Sequence, residues 1–408
     1  MTVSTRRLLV FALLLATAGA TLYACSSASG RLTVAARSAS APAPIKTVIP
    51  FEAYHQGHIN LATGLYVRTD QDLIVQGEMP IIVQRTYRTE DRVSRAFGVG
   101  ASHNGEWYLR GDGERCQWVE IVLEDGSRRR YDRTSPGASF DNATFVHLTT
   151  ASEFYRSRIR WDGAMWALDW PDGSTALFRA CGSTVPDLCS IVQMTSADGR
   201  TIDYVRDRTQ TLRAIRSGSV EVLFEYDAQH RVTRIHETEG QDIRYEYDDG
   251  GRLAQVSENT GVVRTYTYDA RGAMLTIDEP GWHLENAYDA DGRCVHQTTT
   301  WPDGRTAEIT VRYKTRNGAI VEAASSWRNG PTTVYRFDED RRLESEERNS
   351  GSPESVGIEY RRNPISGAAT GVTVRCYDLR RQVLRQADGE DGREDAVDAL
   401  VARTCGLT

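Results

Sequence analysis

A unit of about 20 residues built around Tyr-Asp constrains this chain more than any other feature. Its best copies are Tyr226-Asp227-Ala228-Gln229-His230-Arg231-Val232, Tyr247-Asp248-Asp249-Gly250-Gly251-Arg252-Leu253, Tyr268-Asp269-Ala270-Arg271-Gly272-Ala273-Met274 and Tyr288-Asp289-Ala290-Asp291-Gly292-Arg293-Cys294. Their tyrosines step by 21, 21 and 20 residues, and weaker copies begin at Tyr204, Tyr313, Phe337, Tyr360 and Tyr377. A period of this length holds one two-stranded unit. Before the motif the chain alternates, pairing Phe224 with Tyr226, Tyr245 with Tyr247 and Tyr266 with Tyr268, so each pair shares one face of a strand. The Asp bonds backbone amides ahead of it, and Gly251, Gly272 and Gly292 supply the positive φ of a turn. A second strand follows, with Leu253 and Val256 or Val232 and Ile235 inward at an imperfect period of two. Each repeat therefore reads as a β-hairpin that stacks on the next, its tyrosines core and its aspartates turn formers.

Asp-Gly turns between apolar stretches recur outside the motif, at Glu124-Asp125-Gly126, Trp161-Asp162-Gly163, Trp170-Pro171-Asp172-Gly173 and Trp301-Pro302-Asp303-Gly304. Almost no segment between 51 and 380 carries a helical period, so the expected class is all-β. The tail differs. From Asp391 or Gly392 a short helix is expected, with Ala396, Val397, Leu400 and Val401 on one face and Arg403 in the last turn.

The four best copies resemble the YD repeats of the Rhs and teneurin-like family. A second match precedes them: Gly57-His58-Ile59-Asn60-Leu61-Ala62-Thr63-Gly64, Thr69-Asp70-Gln71-Asp72-Leu73, Met79-Pro80-Ile81-Ile82-Val83-Gln84-Arg85-Thr86-Tyr87 and Phe97-Gly98-Val99-Gly100 resemble the domain of unknown function that commonly precedes bacterial Rhs repeats. The resemblance implies stacked hairpins in a curved or spiral sheet, here a partial shell, behind a β-rich N-terminal domain. It also implies a toxin-carrying role for many members. Roughly nine copies are few for an enclosing shell, and the self-cleaving junction of such proteins has no good match at Asp278-Glu279-Pro280-Gly281.

Arg6 and Arg7 precede an apolar run from Leu8 to Ala20, too short for a comfortable membrane span, which reads as a secretory signal. It ends Leu22-Tyr23-Ala24-Cys25, similar to a lipobox, so Cys25 is the expected lipidation site, with a bulky departure at Tyr23. Thr5-Arg6-Arg7-Leu8-Leu9 also has a faint twin-arginine look. Residues 25–50, rich in Ser, Ala and Pro, read as a tether behind a signal at 1–24. The remaining divisions are an N-terminal β domain at 51–150, the repeat array at 151–380 and an acidic tail with a short helix at 381–408. The expected location is the bacterial envelope, membrane-anchored.

Six cysteines follow Cys25, and an even number in an exported chain suggests disulfides. Cys181 with Cys189 is the first expectation and Cys376 with Cys405 the second, with Cys116 and Cys294 left over. The net charge of −7 becomes −9 without residues 1–24, which carry Arg6, Arg7 and no acid, and this argues against nucleic acid. No cofactor is implied: His55 and His58 lack companion ligands, and an acidic calcium loop in the tail fails on spacing. No nucleophile, zinc or phosphate motif appears. Trp161, Trp166, Trp170, Trp301 and Trp327 fall less regularly than the tyrosines and are the candidate binding face for a protein or glycan. The leading expectation is a non-enzymatic envelope lipoprotein that binds or scaffolds, in cell contact or toxin-associated systems. A shortened or split toxin carrier and an envelope glycan-active enzyme are the alternatives.

Overall fold

A computed structural model describes residues 55–406, apart from 113–114, 138, 149–152, 180–186, 239, 260, 262, 353, 364–368, 379 and 391–393. The signal, Cys25 and the tether lie outside the described residues, as does Cys181.

Among the described residues the architecture is all-β with one α-helix, and its main sheet is a spiral. Eight antiparallel strands, Tyr108–Gly111, Trp118–Val122, Arg128–Arg133, Thr144–Val146, Arg158–Trp161, Trp166–Asp169, Thr175–Phe178 and Asp187–Thr195, pair in order. The last also meets the first, through Cys189↔Leu109 and Ser190↔Tyr108, which closes a ring. Its other half pairs onward with Thr201–Arg206 through Gln193↔Asp203 and Thr195↔Thr201. One strand thus closes the first turn and starts the second. From there each strand pairs with its successor as far as Val383–Gly389.

Two divisions read from the sequence fall between strands that pair with each other. The strands Thr144–Val146 and Arg158–Trp161 on either side of the division at 150 pair with each other, because strands between 108 and 146 belong to the ring that feeds the repeats. Residues 383–389 form a strand paired with Ala369–Tyr377, since Tyr377-Asp378 turns the chain as Tyr226-Asp227 and Tyr247-Asp248 do. The helix, Glu394–Cys405, places Val397, Leu400 and Val401 on Val356, Ile358, Val372 and Val374. Cys376 and Cys405 form a disulfide that ties its end to the sheet.

Every residue type in the motif has an assigned contact. Asp248 Oδ1 accepts the backbone N–H of Arg252 (2.8 Å) and Oδ2 accepts its Nε (2.7 Å), closing the turn around Gly251 at φ +75°. The guanidinium of Arg252 then lies 4.9 Å from the ring of Tyr268 in the next repeat, as Arg231 lies 4.3 Å from Tyr247 and Arg293 5.5 Å from Tyr313. Each tyrosine hydroxyl donates backward to the residue that follows the previous turn: Tyr247 to the Val232 carbonyl (2.6 Å), Tyr268 to Leu253 (2.7 Å), Tyr288 to Met274 (2.8 Å) and Tyr313 to Cys294 (2.8 Å). Aspartate holds its own turn, while arginine and tyrosine bind adjacent repeats together.

The imperfect period of the second strands has a cause. Register shifts fall at Glu225/Tyr226, Glu246/Tyr247, Thr267/Tyr268 and Ala287/Tyr288, so a bulge absorbs one residue and both Leu253 and Val256 stay inward. Two weak copies are re-registered. The turn at Asp207 follows Arg206, not Tyr204. The Leu343 carbonyl, expected to face a tyrosine, is bonded by Arg362, two residues after Tyr360.

Asp248→Ala is expected to lower stability by about 1 to 2 kcal/mol, from the loss of two bonds in a half-buried turn. The exposed neighbour Asp249→Ala changes it by less than about 0.5 kcal/mol. Urea unfolding of both variants checks the difference.

Candidate functional site: a covered inner face and a tryptophan rim

The N-terminal strands lie on the inner face of the repeat sheet. Val67–Val75 and Ile81–Arg88 form a hairpin that Ala101–His103 extends. Backbone bonds fix it from above and below: Cys294 N–H to the Gly64 carbonyl (2.8 Å), Val232 N–H to Ala96 (2.7 Å) and Val99 N–H to Gly251 (3.0 Å). Tyr87 bridges the Gly272 carbonyl and the Met274 N–H. Hydrophobic residues of both units, Ile59, Leu61, Ile81, Val83 and Phe97 with Val232, Ile235, Tyr245 and Ile277, belong to one buried core.

An ionic network sits inside this interface. Arg85, 1% exposed at its side chain, pairs with Asp72 (3.0 Å) and Asp70 (3.5 Å) and donates to the Tyr266 hydroxyl (2.9 Å). Arg68 meets Asp70 (2.7 Å) and Glu279 (3.0 Å), and Arg264 meets Glu279 (2.7 Å) and Asp72 (3.3 Å). Tyr245 donates to Asp72 (3.0 Å). Three guanidiniums face three carboxylates, so the buried charge balances. Burial alone would raise the Asp70 carboxyl, but Arg68, Arg85 and Arg264 outweigh it and hold it well below the usual carboxylate range. Asp70 is thus a structural anion locked by arginine, not a group poised to exchange protons near neutrality.

Two further titratable groups lie where the same unit meets the ring. Burial, with Arg206 adding, pushes His103 down to about 3, so it stays neutral at ordinary pH. Burial, with Asp125 adding, pushes the Glu124 carboxyl up to about 7, while Trp107 Nε1 donates to it. A carboxyl whose folded pKa exceeds its unfolded value stabilises fully below the unfolded value, near 4.5, and loses that contribution as pH rises through about 7. Unfolding free energy should therefore fall by on the order of 2 to 3 kcal/mol between pH 5 and pH 8. Glu124→Gln should remove the Glu124 share of this fall and leave only what Glu106, also raised by burial, contributes, as denaturant melts across that range would read directly.

The expected binding tryptophans divide. Trp166 is 3% exposed, and Trp161 and Trp170 pack half-buried on the same core, with Trp161 5.4 Å from both Phe140 and Trp166 and Trp170 5.9 Å from Phe154. All three pack on the core of the ring, Trp166 wholly and the other two in part. Trp301 and Trp327 lie elsewhere, along one rim, where Trp327 is 41% exposed. Beside it Thr306, Ala307, Glu308, Arg328 and Asn329 line a shallow recess of about 370 Å³. Cys189 is disulfide-bonded. Cys116 and Cys294 are buried free thiols, and burial pushes Cys294 up to about 12. Among the described residues no group of three or more His, Cys, Asp or Glu could hold a metal ion, and His58 packs edge-on to Tyr66.

Sequence reasoning missed the ionic network. Its only trace is the alternation of Arg68, Asp70 and Asp72 along one strand with Arg85 on the next, which a reading of turns and tyrosines passes over.

A spiral of stacked antiparallel hairpins with an N-terminal unit on its inner face is the class of fold these features define. The family comparison agrees in order and position. The domain of unknown function DUF6531 matches residues 56–131, and the RHS repeat matches residues 226–263 and 247–281. The chain thus carries this N-terminal domain followed by RHS repeats. A search of curated proteins finds no match. Among solved structures, a TcdB2-TccC3-TEV crystal structure matches at 13% identity and TM-score 0.36, over 79% of this chain and 19% of that one. A Tc holotoxin pore from Photorhabdus luminescens matches at 13% and 0.26, over 81% and 22%. A porin-like protein from Bacteroides uniformis matches at 12% and 0.23, over 57% and 92%. The chain spans about a fifth of the length of the first two.

Proposed function

We propose that this chain is an exported, membrane-tethered RHS-repeat scaffold, anchored by a lipid on Cys25, that binds through its outward surfaces and performs no chemistry of its own. The observation that carries this reading is the covering of the inner face by residues 59–103. The carboxylates and tyrosines that could have formed a cleft are paired with arginine or with backbone, and the binding surface left is outward or at the rim. A chain of this kind needs an address more than a catalyst, and the lipobox-like Cys25 behind an apolar signal supports one.

Growth of cells with labelled palmitate should label the chain, and Cys25→Ser should lose the label and leave the protein in the soluble envelope fraction. Unchanged labelling in the variant, or a wild-type chain that stays in the cytoplasm, overturns the anchor. Release of sugars from envelope glycans by the purified chain would overturn the non-enzymatic part.

A shortened or split toxin carrier is the second reading. The side chains of Val383 and Leu384, 49% and 64% exposed on the strand Val383–Gly389, favour it, because a sheet ending on apolar side chains suits a partner that continues it. Stable co-purification with a neighbouring reading frame's product bearing Tyr-Asp repeats would move the balance to this reading.

A further inference from the structure

The rim that carries Trp301 and Trp327 is also where the N-terminal segment enters the body. Gln297, Ile309 and Trp327 are successive cross-strand partners, so their side chains share the inner face. A Cβ on Gly57 would sit 2.8 Å from Gln297 Oε1 and 3.4 Å from Ile309 Cγ2. The chain thus enters one strand away from Trp327. Trp301 continues the face of Gln297 just past the end of Cys294–Thr300. Trp282, which adjoins the paired residues His283 and Thr300, lies beneath the Arg68 guanidinium at 5.1 Å.

We propose that this rim docks on the lipid–water interface of the membrane that holds the anchor, with Trp327 and Trp301 seated at headgroup level. This inference rests on the lipidation of Cys25. Three observations favour a bilayer surface. Tryptophan, apolar in body with one N–H, is the side chain most suited to that boundary. The tether between Cys25 and His55 holds its exit point within roughly 30 Å of the bilayer if it behaves as a flexible coil. That proximity makes a weak surface contact effective, since a tethered contact is intramolecular. The third observation is charge. Arg305 pairs with Asp303 and stacks 5.5 Å from Trp301, and Arg328 pairs with Glu308, so the rim is rich in arginine yet neutral. Docking should therefore depend on the tryptophans and vary little with salt or anionic lipid.

The test uses the full lipidated chain in phosphatidylethanolamine–phosphatidylglycerol vesicles with brominated acyl chains, which quench nearby tryptophans. Quenching should be present, should survive high salt, and should be largely lost in Trp327→Phe and reduced in Trp301→Phe. An unchanged thermal melt would show that these variants fold. Quenching that both variants retain, or its absence in a chain that carries the lipid, overturns this inference alone. Absence of the lipid itself overturns the anchor and this inference with it. A fluorescence change at Trp327 on adding soluble glycan oligomers, without quenching by vesicles, would assign the rim to a glycan.

Discussion

Replacing Arg85 by alanine is expected to lower stability by about 3 to 5 kcal/mol, the largest effect of any single polar substitution in the interface. The guanidinium is the shared partner of Asp70, Asp72 and Tyr266, and the Asp72 carboxylate is fully buried. Its removal leaves Arg68 and Arg264 alone against Asp70, Asp72 and Glu279, one uncompensated negative charge away from water. The expected sign of a second change distinguishes charge from packing. Adding Asp72→Asn to the Arg85→Ala chain removes that uncompensated charge and should restore part of the loss, whereas Asp72→Asn alone should destabilise. Urea unfolding of the three variants measures the coupling. Equal losses that simply add would mean that Arg85 acts only by filling space.

The second large effect is expected at Gly98. Its φ of +86° already disfavours any other residue, and a Cβ there would lie 2.5 Å from the Gly251 carbonyl oxygen and 3.0 Å from the Tyr247 ring. Backbone cannot move aside as a flexible side chain can. The Gly98→Ala chain should lose about 2 to 4 kcal/mol, combining the positive-φ penalty with overpacking. The same substitution at Gly292, also at positive φ but with open space around its Cβ, should lose only the first of these, about 1 kcal/mol. The gap between the two isolates the contact between the N-terminal unit and the repeat turn.

The repeats were legible because their information is local. Asp248, Gly251 and Arg252 fold one turn using atoms within five residues of each other, and alternation fixes which side chains face in. The backward bond from the Tyr268 hydroxyl to Leu253 was not legible as a bond, although the fixed step of the tyrosines showed that they act in register. What escaped is non-local. Nothing in Tyr108–Gly111 shows that it closes a ring on Asp187–Thr195, since pairing partners far apart leave no periodic trace. For that reason the strand pairing does not mark a division near 150. The tryptophans at 161, 166 and 170 resembled a binding surface because they break the repeat pattern. They break it because a tightly curved ring needs bulky side chains to fill it. Trp327 breaks the pattern as well, and there the cause is exposure.

The most direct test of the central claim, that residues 59–103 are folded onto the inner face of the RHS repeats as one body, is native-state hydrogen exchange of the intact chain. The amides of Val67–Val75 and Ile81–Arg88 should share the protection of Asp242–Tyr247, Leu253–Glu258 and Met274–Glu279, and all should lose it together in the Arg85→Ala chain. Rapid exchange of the hairpin beneath fully protected repeats, or repeats indifferent to Arg85, would show that the N-terminal unit is a separate module and that the inner face is open.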